Sequence, residues 1–233
     1  LYTEELALSN VDLQQFAYVA SHDLQEPLRM ISSYLQLIER RYKGKLDADA
    51  DTFIHYAVDG ATRLQALIAG LLEFSRVKTH GREFAPVAVR EVVEGVCRDL
   101  QPLIQETGTK VRFGEMPVIQ GDATQIARLF QNLLHNAIKF RKQDVAPVIE
   151  IRAEKTEAGQ IFSIRDNGIG IESRYFDRIF NIFQRLHRQE EYPGTGIGLA
   201  ICKRIVDRHG GLIWLESSVD GGSTFSFSIP GNI

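Results

Sequence analysis

The sequence predicts a chain of two parts, a helical hairpin over residues 1–80 and an α/β sandwich over residues 81–233. The first observation is that apolar residues recur every three or four positions through much of residues 13–74. The second is the distribution of glycine, because only three of the 19 glycines lie in the first 80 residues. The third is the alternating or β-branched stretches that occur only in the second part.

Composition places the chain among globular proteins and excludes several functional classes. The 233 residues are 44% hydrophobic and 24% charged, which excludes disordered and low-complexity chains. A net charge of −3 and the lack of any apolar run of about 20 residues predict no nucleic-acid partner and no membrane contact within this chain. Two cysteines cannot form a disulfide framework, so we expect the reducing cytoplasm. Because residue 1 is Leu, we expect a piece of a longer protein.

Two long amphipathic helices are predicted in the first part, separated by a break at residues 43–45. The first helix carries an apolar stripe at Leu13, Phe16, Ala20, Leu24, Leu28, Ile31, Leu35 and Ile38. The second carries one stripe at Phe53, Ala57, Gly60, Leu64, Leu67, Leu71 and Phe74, and another at Ile54, Ala61, Ile68 and Leu72. One hairpin cannot bury so much apolar surface, so we expect two hairpins to pair as a four-helix bundle. Packing of one hairpin on its own second domain is the alternative.

In the second part, helices and strands are interleaved. Helices are predicted over Val89–Thr107, Asp122–Arg141 and Ile197–His209. Asp122 is the predicted N-cap of the second of these, and two glycines end the third. Strands are predicted over Lys110–Phe113, Val118–Ile119, Val148–Lys155, Gln160–Arg165, Leu212–Glu216 and Thr224–Ile229. The polar stretch Asn181–Pro193 has no period, which indicates a loop.

His22 is the first candidate for chemistry. At about 100° per residue, it falls roughly opposite the apolar stripe of its helix, so it does not belong to a core. A neutral imidazole is a capable nucleophile, and Asp23 could hold the Nδ1 proton while Nε2 attacks. On position alone, an ordinary exposed histidine explains the same placement.

Polar residues on one side of the helix over Asp122–Arg141 are the second candidate. Asn132, Asn136 and Lys139 are spaced at i, i+4 and i+7 and therefore share a face. An amide oxygen can ligate Mg²⁺, and an ammonium group is a point charge for phosphate, so the face suits a magnesium triphosphate. A solvated helix face would have the same residues.

Two glycine-bearing blocks follow. Asp166, Gly168 and Gly170 come after a predicted strand, where glycine lets a ligand approach the backbone and a carboxylate can accept from an exocyclic amine. A tight turn explains this block equally well. The second block, Gly194, Gly196 and Gly198, opens a helix whose N-terminal amides can bind phosphate. Phe180, Phe183 and Arg185 lie between the two blocks, around the start of the polar loop, which suggests a lid.

Taken in this order, the four blocks resemble the H, N, G1/F and G2 boxes of the sensor histidine kinases, from about residue 11 to residue 229. The resemblance implies a dimeric four-helix bundle followed by an α/β sandwich of the GHKL ATPase superfold. It implies autophosphorylation of His22 from ATP, then transfer to an aspartate on the receiver domain of a response regulator. An upstream sensor domain on the same full-length chain is also implied. The sequence around His22, together with residues 183–187 and 192–196, looks most like the kinase modules of bacterial phytochromes.

The resemblance also assigns a role to each candidate residue. His22 matches the phospho-accepting histidine and Asp23 its neighbouring acid. The other matches are Asn132 and Lys139 to the phosphate-side residues, Asn136 to the Mg²⁺ ligand, Asp166 with Gly168 and Gly170 to the adenine-reading loop, Arg185 to the arginine that reaches the γ-phosphate, Gly194, Gly196 and Gly198 to the lid-hinge glycines, and Thr224 to the threonine near adenine. The implied cofactors are ATP and Mg²⁺, and the implied partners are a second copy of the chain and the receiver domain.

Other functions fit less well. A hydrolytic ATPase of the gyrase or Hsp90 type usually has Glu at the position of Asn132, and an amide cannot act as a general base. A serine kinase would not need an exposed His22. The alternative is a non-catalytic nucleotide-binding dimerisation scaffold, although all the matched residue types are present. One departure is Glu26, where many family members have Thr or Asn, so we expect weak phosphatase activity.

Overall fold

A computed structural model describes residues 24–79, 81–186, 191–192, 194–219 and 221–231 of the chain. The chain divides into two compact units, Leu1–Arg76 and Val77–Ile233. No helix within the described ranges has the length and apolar character that a bilayer crossing requires.

The first unit contains the helical hairpin that the apolar spacing predicts. Helix α1 occupies residues 24–42 of the described chain, and helix α2 runs over Ala48–Thr79, so its last turn belongs to the second unit. The predicted break between them is confirmed. Asp47 begins α2, because its Oδ1 accepts the Ala50 N–H at 2.8 Å. The buried contacts of the hairpin are made by Leu28, Ala61, Ile68 and Leu72, with Leu35 packed against them.

Much of the apolar surface of this hairpin stays exposed. Leu28 of the predicted stripe is buried, whereas Leu24 and Ile31 are 55% and 52% exposed. On α2, Phe53 and Tyr56 are 68% and 69% exposed. The other large exposed apolar side chains of the hairpin are Met30, Tyr34, Leu37, Ile38, Tyr42, Leu46 and Leu64. One copy of the hairpin therefore leaves an apolar surface uncovered, as the spacing predicts.

The second unit is built from helices and strands in alternation. Its helices are α3 (Val89–Asp99), α4 (Gln101–Thr107), α5 (Ala123–Lys139) and α6 (Gly198–Arg208), with a 3₁₀ turn at Ser173–Tyr175. Its strands are β1 (Ala85–Ala88), β2 (Lys110–Phe113), β3 (Val118–Gly121), β4 (Val148–Thr156), β5 (Gly159–Asp166), β6 (Ile213–Ser218) and β7 (Gly222–Pro230).

A five-stranded sheet and a helical layer enclose the core of this unit. The strand order is β2-β4-β5-β7-β6, with β2 parallel to β4 and the other pairs antiparallel. Strands β1 and β3 form a separate antiparallel pair. Helix α5 contacts α3, α6 and β5. Its Phe130 meets Phe162 of β5 and Phe227 of β7 edge-on at 6.0 and 5.6 Å between ring centroids, and all three rings are fully buried.

Two local features differ from the sequence prediction. The helix predicted over Val89–Thr107 is interrupted at Leu100. Pro102 lies in the first turn of α4, and its ring would clash with the Arg98 carbonyl in a continuous helix. Strand β1 was not predicted, since it has four residues and contains a proline. The other predicted helices and strands are confirmed to within a few residues.

Asp122 begins α5 as the predicted N-cap and is almost fully buried, with 2% of its surface exposed. Its Oδ1 accepts the N–H groups of Thr124 and Gln125 at 3.0 and 3.2 Å. Its Oδ2 accepts the Arg82 N–H at 2.7 Å and Nη1 of Arg208 at 3.1 Å. The carboxylate therefore joins the start of α5 to the end of α6 and to the segment before β1.

His209 completes this network. It is fully buried and stacks on Phe84, with 4.5 Å between the ring centroids. Its Nε2 accepts the Asp122 N–H at 3.1 Å, which requires a neutral ring whose Nδ1 donates to the Ile205 carbonyl at 2.8 Å. Burial lowers the pKa of His209 and favours this neutral form. We call Arg82, Asp122, Gln125, Arg208 and His209 the polar clamp.

The polar clamp also reaches the end of α2. Gln125 donates from Nε2 to the Val77 carbonyl at 2.8 Å, and its Oε1 accepts from Nη1 of Arg208 at 2.8 Å. Arg208 also donates from Nη2 to the Arg82 carbonyl at 2.6 Å. Val77 and Arg82, which both belong to the second unit, are therefore hydrogen-bonded to other side chains of the polar clamp.

Asp122→Ala is expected to lower the stability of the second unit by about 3–5 kcal/mol, because it leaves Arg208 in a mostly buried site without its carboxylate and removes a helix cap. For a unit of this size the melting temperature should fall by roughly 10 °C, measured by calorimetry. Asp122→Asn keeps a capping oxygen and should cost less. The matched control is Asp177→Ala, at an exposed aspartate of the same unit. Equal melting temperatures for Asp122→Ala and the control would contradict this account.

Candidate active site

A cavity of about 250 Å³ opens in the second unit, between α5, the loop after β5, the start of α6 and the start of β7. Its polar lining includes Asn132, His135, Asn136, Lys139, Asp166, Gln184, Arg185, Tyr192, Thr195 and Ser223. Its apolar lining includes Ile169, Ile171, Ile179, Leu186, Leu199 and Phe225. The described lining therefore offers apolar walls together with a carboxylate, three amides and two cationic side chains.

Helix α5 supplies two of the amides and one of the cations. Asn132, Asn136 and Lys139 all line the cavity, as their spacing predicts. Residues on the opposite side of the helix, including Leu129 and Leu133, are buried in the core. Asn132 is held against α6, where its Nδ2 donates to the Gly198 carbonyl at 3.4 Å. Burial of the apolar side of α5 thus orients its polar side toward the cavity.

Asp166 supplies the carboxylate at the end of β5. Its Oδ1 accepts the N–H of Gly168 at 2.8 Å and of Ser223 at 3.1 Å. No described residue donates to Oδ2, and the side chain lines the cavity. Burial raises the pKa of Asp166, while the two N–H donors act in the opposite direction. One carboxylate oxygen is thus fixed by the protein and the other is available to a ligand.

Glycine is required in the loop after Asp166. A side chain at Gly168 would collide with the Phe140 carbonyl. Gly170 has φ +74°, and a side chain there would collide with the Ser218 carbonyl. Asn167, between Asp166 and Gly168, is turned away to hold β4, since its Oδ1 accepts the Val148 N–H at 2.8 Å. The loop is therefore packed tightly under the cavity.

Lys139 and Arg185 bring two positive charges to the cavity. Burial lowers the pKa of Lys139, and the charge of Arg185 lowers it further. Arg185 donates from Nη2 to the Tyr192 carbonyl at 3.3 Å. Two cations line this cavity, and Asp166 is the one carboxylate among its described lining residues, so the cavity provides a site for an anion.

The structure brings together most of the residues singled out from the sequence. Asn132, Asn136, Lys139, Asp166, Gly170, Arg185, Gly194, Gly196 and Gly198 line the cavity. Gly168 is buried behind its wall, and Thr224 is on β7 but not among the lining residues. His22 and Asp23 lie outside the described residues.

Several lining residues were not found from the sequence, among them Phe140, Tyr192, His135 and Ser223. Side chains alternate along a strand, so Ser223 and Phe225 share a side that Thr224 does not. The register of β7 would have been needed to see this. His135 lies between the two asparagines on α5, and burial with the charges of Lys139 and Arg128 lowers its pKa.

Comparison with known proteins accounts for both units. Residues 12–80 match the His Kinase A (phospho-acceptor) domain, and residues 121–233 match the histidine kinase-, DNA gyrase B- and HSP90-like ATPases. Cyanobacterial phytochrome A of Nostoc sp. is 49% identical over 97% of this chain, and phytochrome-like protein Cph1 of Synechocystis sp. is 48% identical over 97%. The chain spans 29% and 30% of the lengths of these relatives.

Among solved structures, full-length ShkA in complex with AMPPNP is similar over 93% of this chain and 45% of that one, with a TM-score of 0.70 and 25% identity. The fold, the cavity and the two family matches define a histidine kinase core, in which a phospho-acceptor domain precedes an ATP-binding domain. The chain belongs to the histidine kinases, and its relatives place it among the phytochrome-like kinase modules.

Proposed function

We propose that this chain transfers the γ-phosphoryl group of ATP to His22 and then to an aspartate on the receiver domain of a response regulator. Residues 1–80 serve as the dimerisation and phosphotransfer domain, and residues 81–233 as the catalytic domain. The observation that carries this proposal is the cavity in which the amides of α5, two cations and the Asp166 carboxylate meet, in a chain that also has a phospho-acceptor domain.

Asp166 is proposed to select adenine. Two backbone N–H groups already occupy Oδ1, so Oδ2 accepts the exocyclic amine of the base. Gly168 and Gly170 keep the loop close to the base, and the apolar walls cover its faces. Thr224 follows Ser223, whose N–H donates to Asp166, and it pairs with Arg165 on β5. Its proposed role is to support the adenine end of the site.

The triphosphate is proposed to lie along α5. Lys139 and Arg185 neutralise its terminal phosphate, and Asn132 donates to a phosphate oxygen from its position beside Gly198. Gly194 and Gly196 line the cavity just before α6. Because neither has a side chain, the backbone there can approach the phosphates closely. Phosphoryl transfer of this kind depends mainly on positioning and charge neutralisation, which these residues supply.

The donor set fits Mg²⁺ held jointly by protein and triphosphate. No cluster of three or more His, Cys, Asp or Glu side chains in the described ranges could hold a metal ion alone. The Asn136 amide oxygen is a neutral, hard ligand of the kind Mg²⁺ accepts beside phosphate oxygens. When bound, Mg²⁺ would supply positive charge to the phosphate oxygens.

His22 is proposed to act as the nucleophile through Nε2. Asp23 holds the Nδ1 proton, so that the lone pair lies on Nε2 and the positive charge of the attacked ring is stabilised. The P–O bond to the β-phosphate breaks as the N–P bond forms, and ADP leaves. The receiver aspartate then takes the phosphoryl group from His22.

A second copy of the chain is the proposed partner of the hairpin. The exposed apolar residues of α1 and α2 would be buried in a four-helix bundle, which is how such hairpins remove this surface from water. A sensor domain upstream on the full-length chain is proposed to act on this bundle. Both cysteines are free thiols, which is consistent with the proposed cytoplasmic location.

The test is incubation with γ-labelled ATP and Mg²⁺, followed by treatment of the labelled protein with acid or alkali. Label that is lost in acid and retained in alkali is expected, because phosphohistidine has this stability and phosphoserine does not. Absence of label under all conditions would favour a nucleotide-binding scaffold and overturn the proposal.

Asn136→Ala is expected to weaken ATP binding roughly 10- to 100-fold when Mg²⁺ is present and to leave it nearly unchanged in EDTA. Alanine keeps the helix, so only the amide oxygen is removed. Calorimetric titrations of the native and variant proteins, each with and without Mg²⁺, measure the difference. An equal loss of affinity in both conditions would show that Asn136 contacts the nucleotide directly instead of through the metal.

A further inference from the structure

Phe140 and Tyr192 form an aromatic contact at the edge of the cavity. Their ring centroids are 5.0 Å apart with 40° between the ring planes, and both residues line the cavity. Phe140 ends α5, and its carbonyl accepts the Ile169 N–H at 3.1 Å, which ties it to the loop that follows Asp166. Tyr192 therefore packs on a residue that is fixed at two points of the nucleotide site. We call this pair the aromatic clasp.

The aromatic clasp contacts both cations of the phosphate end. Nζ of Lys139 lies over the Phe140 ring, 4.4 Å from its centroid, a distance at which an ammonium group is attracted to the ring face. The Tyr192 carbonyl accepts Nη2 of Arg185 at 3.3 Å. The Tyr192 backbone thus binds the guanidinium of Arg185, and the Tyr192 ring packs on Phe140, whose own ring contacts the ammonium of Lys139.

Without a ligand, Lys139 and Arg185 repel one another, and the lowered pKa of Lys139 includes this effect. Long cationic side chains that repel one another disperse into solvent unless other contacts hold them, because each gains rotamer entropy by leaving. The cation–π contact and the carbonyl hydrogen bond oppose this dispersal. The hydrogen bond of Arg185 depends directly on the position of Tyr192, and the cation–π contact of Lys139 depends on it through the Phe140 ring, on which the Tyr192 ring packs.

We propose that Tyr192 is a positioning residue for phosphoryl transfer, whose ring, packed on Phe140, holds Lys139 and Arg185 in place before the triphosphate binds. This inference rests on the proposed function. A backbone carbonyl is present whichever residue occupies position 192. The ring of Tyr192 is therefore the group to test, because its packing on Phe140 fixes the carbonyl that accepts from Arg185.

The first test compares Tyr192→Leu with Tyr192→Phe in the 233-residue chain by measuring initial rates of His22 phosphorylation against ATP concentration. Tyr192→Leu should lower kcat about tenfold and change KM for ATP by less than about threefold, because misplaced cations affect the transition state more than ground-state binding. Tyr192→Phe keeps the ring and should stay within about twofold of the native kcat. Tyr175→Leu, at a half-buried tyrosine outside the cavity, is the matched control and should leave kcat unchanged.

A double-mutant cycle with Phe140→Leu gives a second measurement. If the two rings act as one unit, the double variant should be no slower than the slower single variant, whereas independent effects would multiply. A change in KM alone, an unaltered kcat in Tyr192→Leu, or multiplied effects in the double variant would each overturn the inference. If the native chain takes up no phosphate, the proposed function fails as well; if it labels normally while Tyr192→Leu keeps kcat, only the role of Tyr192 is wrong.

Discussion

His22→Ala is expected to abolish autophosphorylation and to leave ATP affinity unchanged. The imidazole is a reactant in the proposed transfer, so no neighbouring group can replace it at the same position. The described lining residues of the cavity lie between Asn132 and Phe225, in the second unit, so the substitution changes none of the described residues that line the nucleotide site. Label from γ-labelled ATP measures the first effect, and calorimetric titration with a non-hydrolysable ATP analogue measures the second.

His55→Ala is the matched control for this experiment. His55 lies on α2 of the same hairpin, and its side chain is 70% exposed beside Glu39. The His55→Ala variant should be phosphorylated on His22 at the native rate, because the substitution removes only an exposed imidazole at another position of the hairpin. Normal labelling of His22→Ala would show that another histidine accepts the phosphoryl group, and His135, which lines the cavity, would be the next to replace.

Asp166→Asn is expected to weaken ATP binding by roughly 10- to 100-fold and to reduce the preference for ATP over GTP. The asparagine oxygen can still accept the N–H groups of Gly168 and Ser223 in the place of Oδ1. The amide nitrogen of Asn then takes the place of Oδ2, and its NH2 group faces the exocyclic NH2 group of adenine. Two hydrogen-bond donors then face each other and cannot pair. Binding constants for both nucleotides, measured by calorimetry, test this exchange of an acceptor for a donor.

The same variant should fold at least as stably as the native protein at neutral pH. Because burial raises the pKa of Asp166 in the folded state, the folded protein binds this proton more tightly than the unfolded chain does. The ionised carboxylate therefore costs stability as pH rises through its folded pKa, and a neutral amide removes that cost. A lowered melting temperature would indicate that the affinity loss comes from unfolding; unchanged ATP affinity would contradict the role of Asp166.

Local patterns in the sequence were enough to predict most of the secondary structure and the polar face of α5. The helix N-cap at Asp122 and the spacing of Asn132, Asn136 and Lys139 are visible within one stretch of chain, because a helix fixes which residues share a side. The interruption at Leu100 was missed although Pro102 signals it, since the apolar spacing continues through both short helices.

Contacts between distant segments could not be predicted in this way. Ser223 donates to a carboxylate 57 residues earlier, and its side of β7 depends on the pairing of that strand with β5. Tyr192 packs on Phe140, which lies 52 residues earlier in the sequence. His209 is another example, since its spacing on α6 gives no sign that it binds the N–H of Asp122. These pairs follow from tertiary packing, which periodicity does not describe.

The uncovered apolar surface of the hairpin has a consequence for how the two units respond to dilution. The described residues 24–79 of the hairpin bury few large side chains against one another, and Phe53 and Tyr56 are mostly exposed to water. If its folding is coupled to pairing with a second copy, mass action makes its stability a function of protein concentration. The second unit has its own core around Phe130, Phe162 and Phe227 and has no such dependence. Dilution then unfolds the hairpin, which is the phospho-acceptor domain, and leaves the second unit, which is the ATP-binding domain, folded.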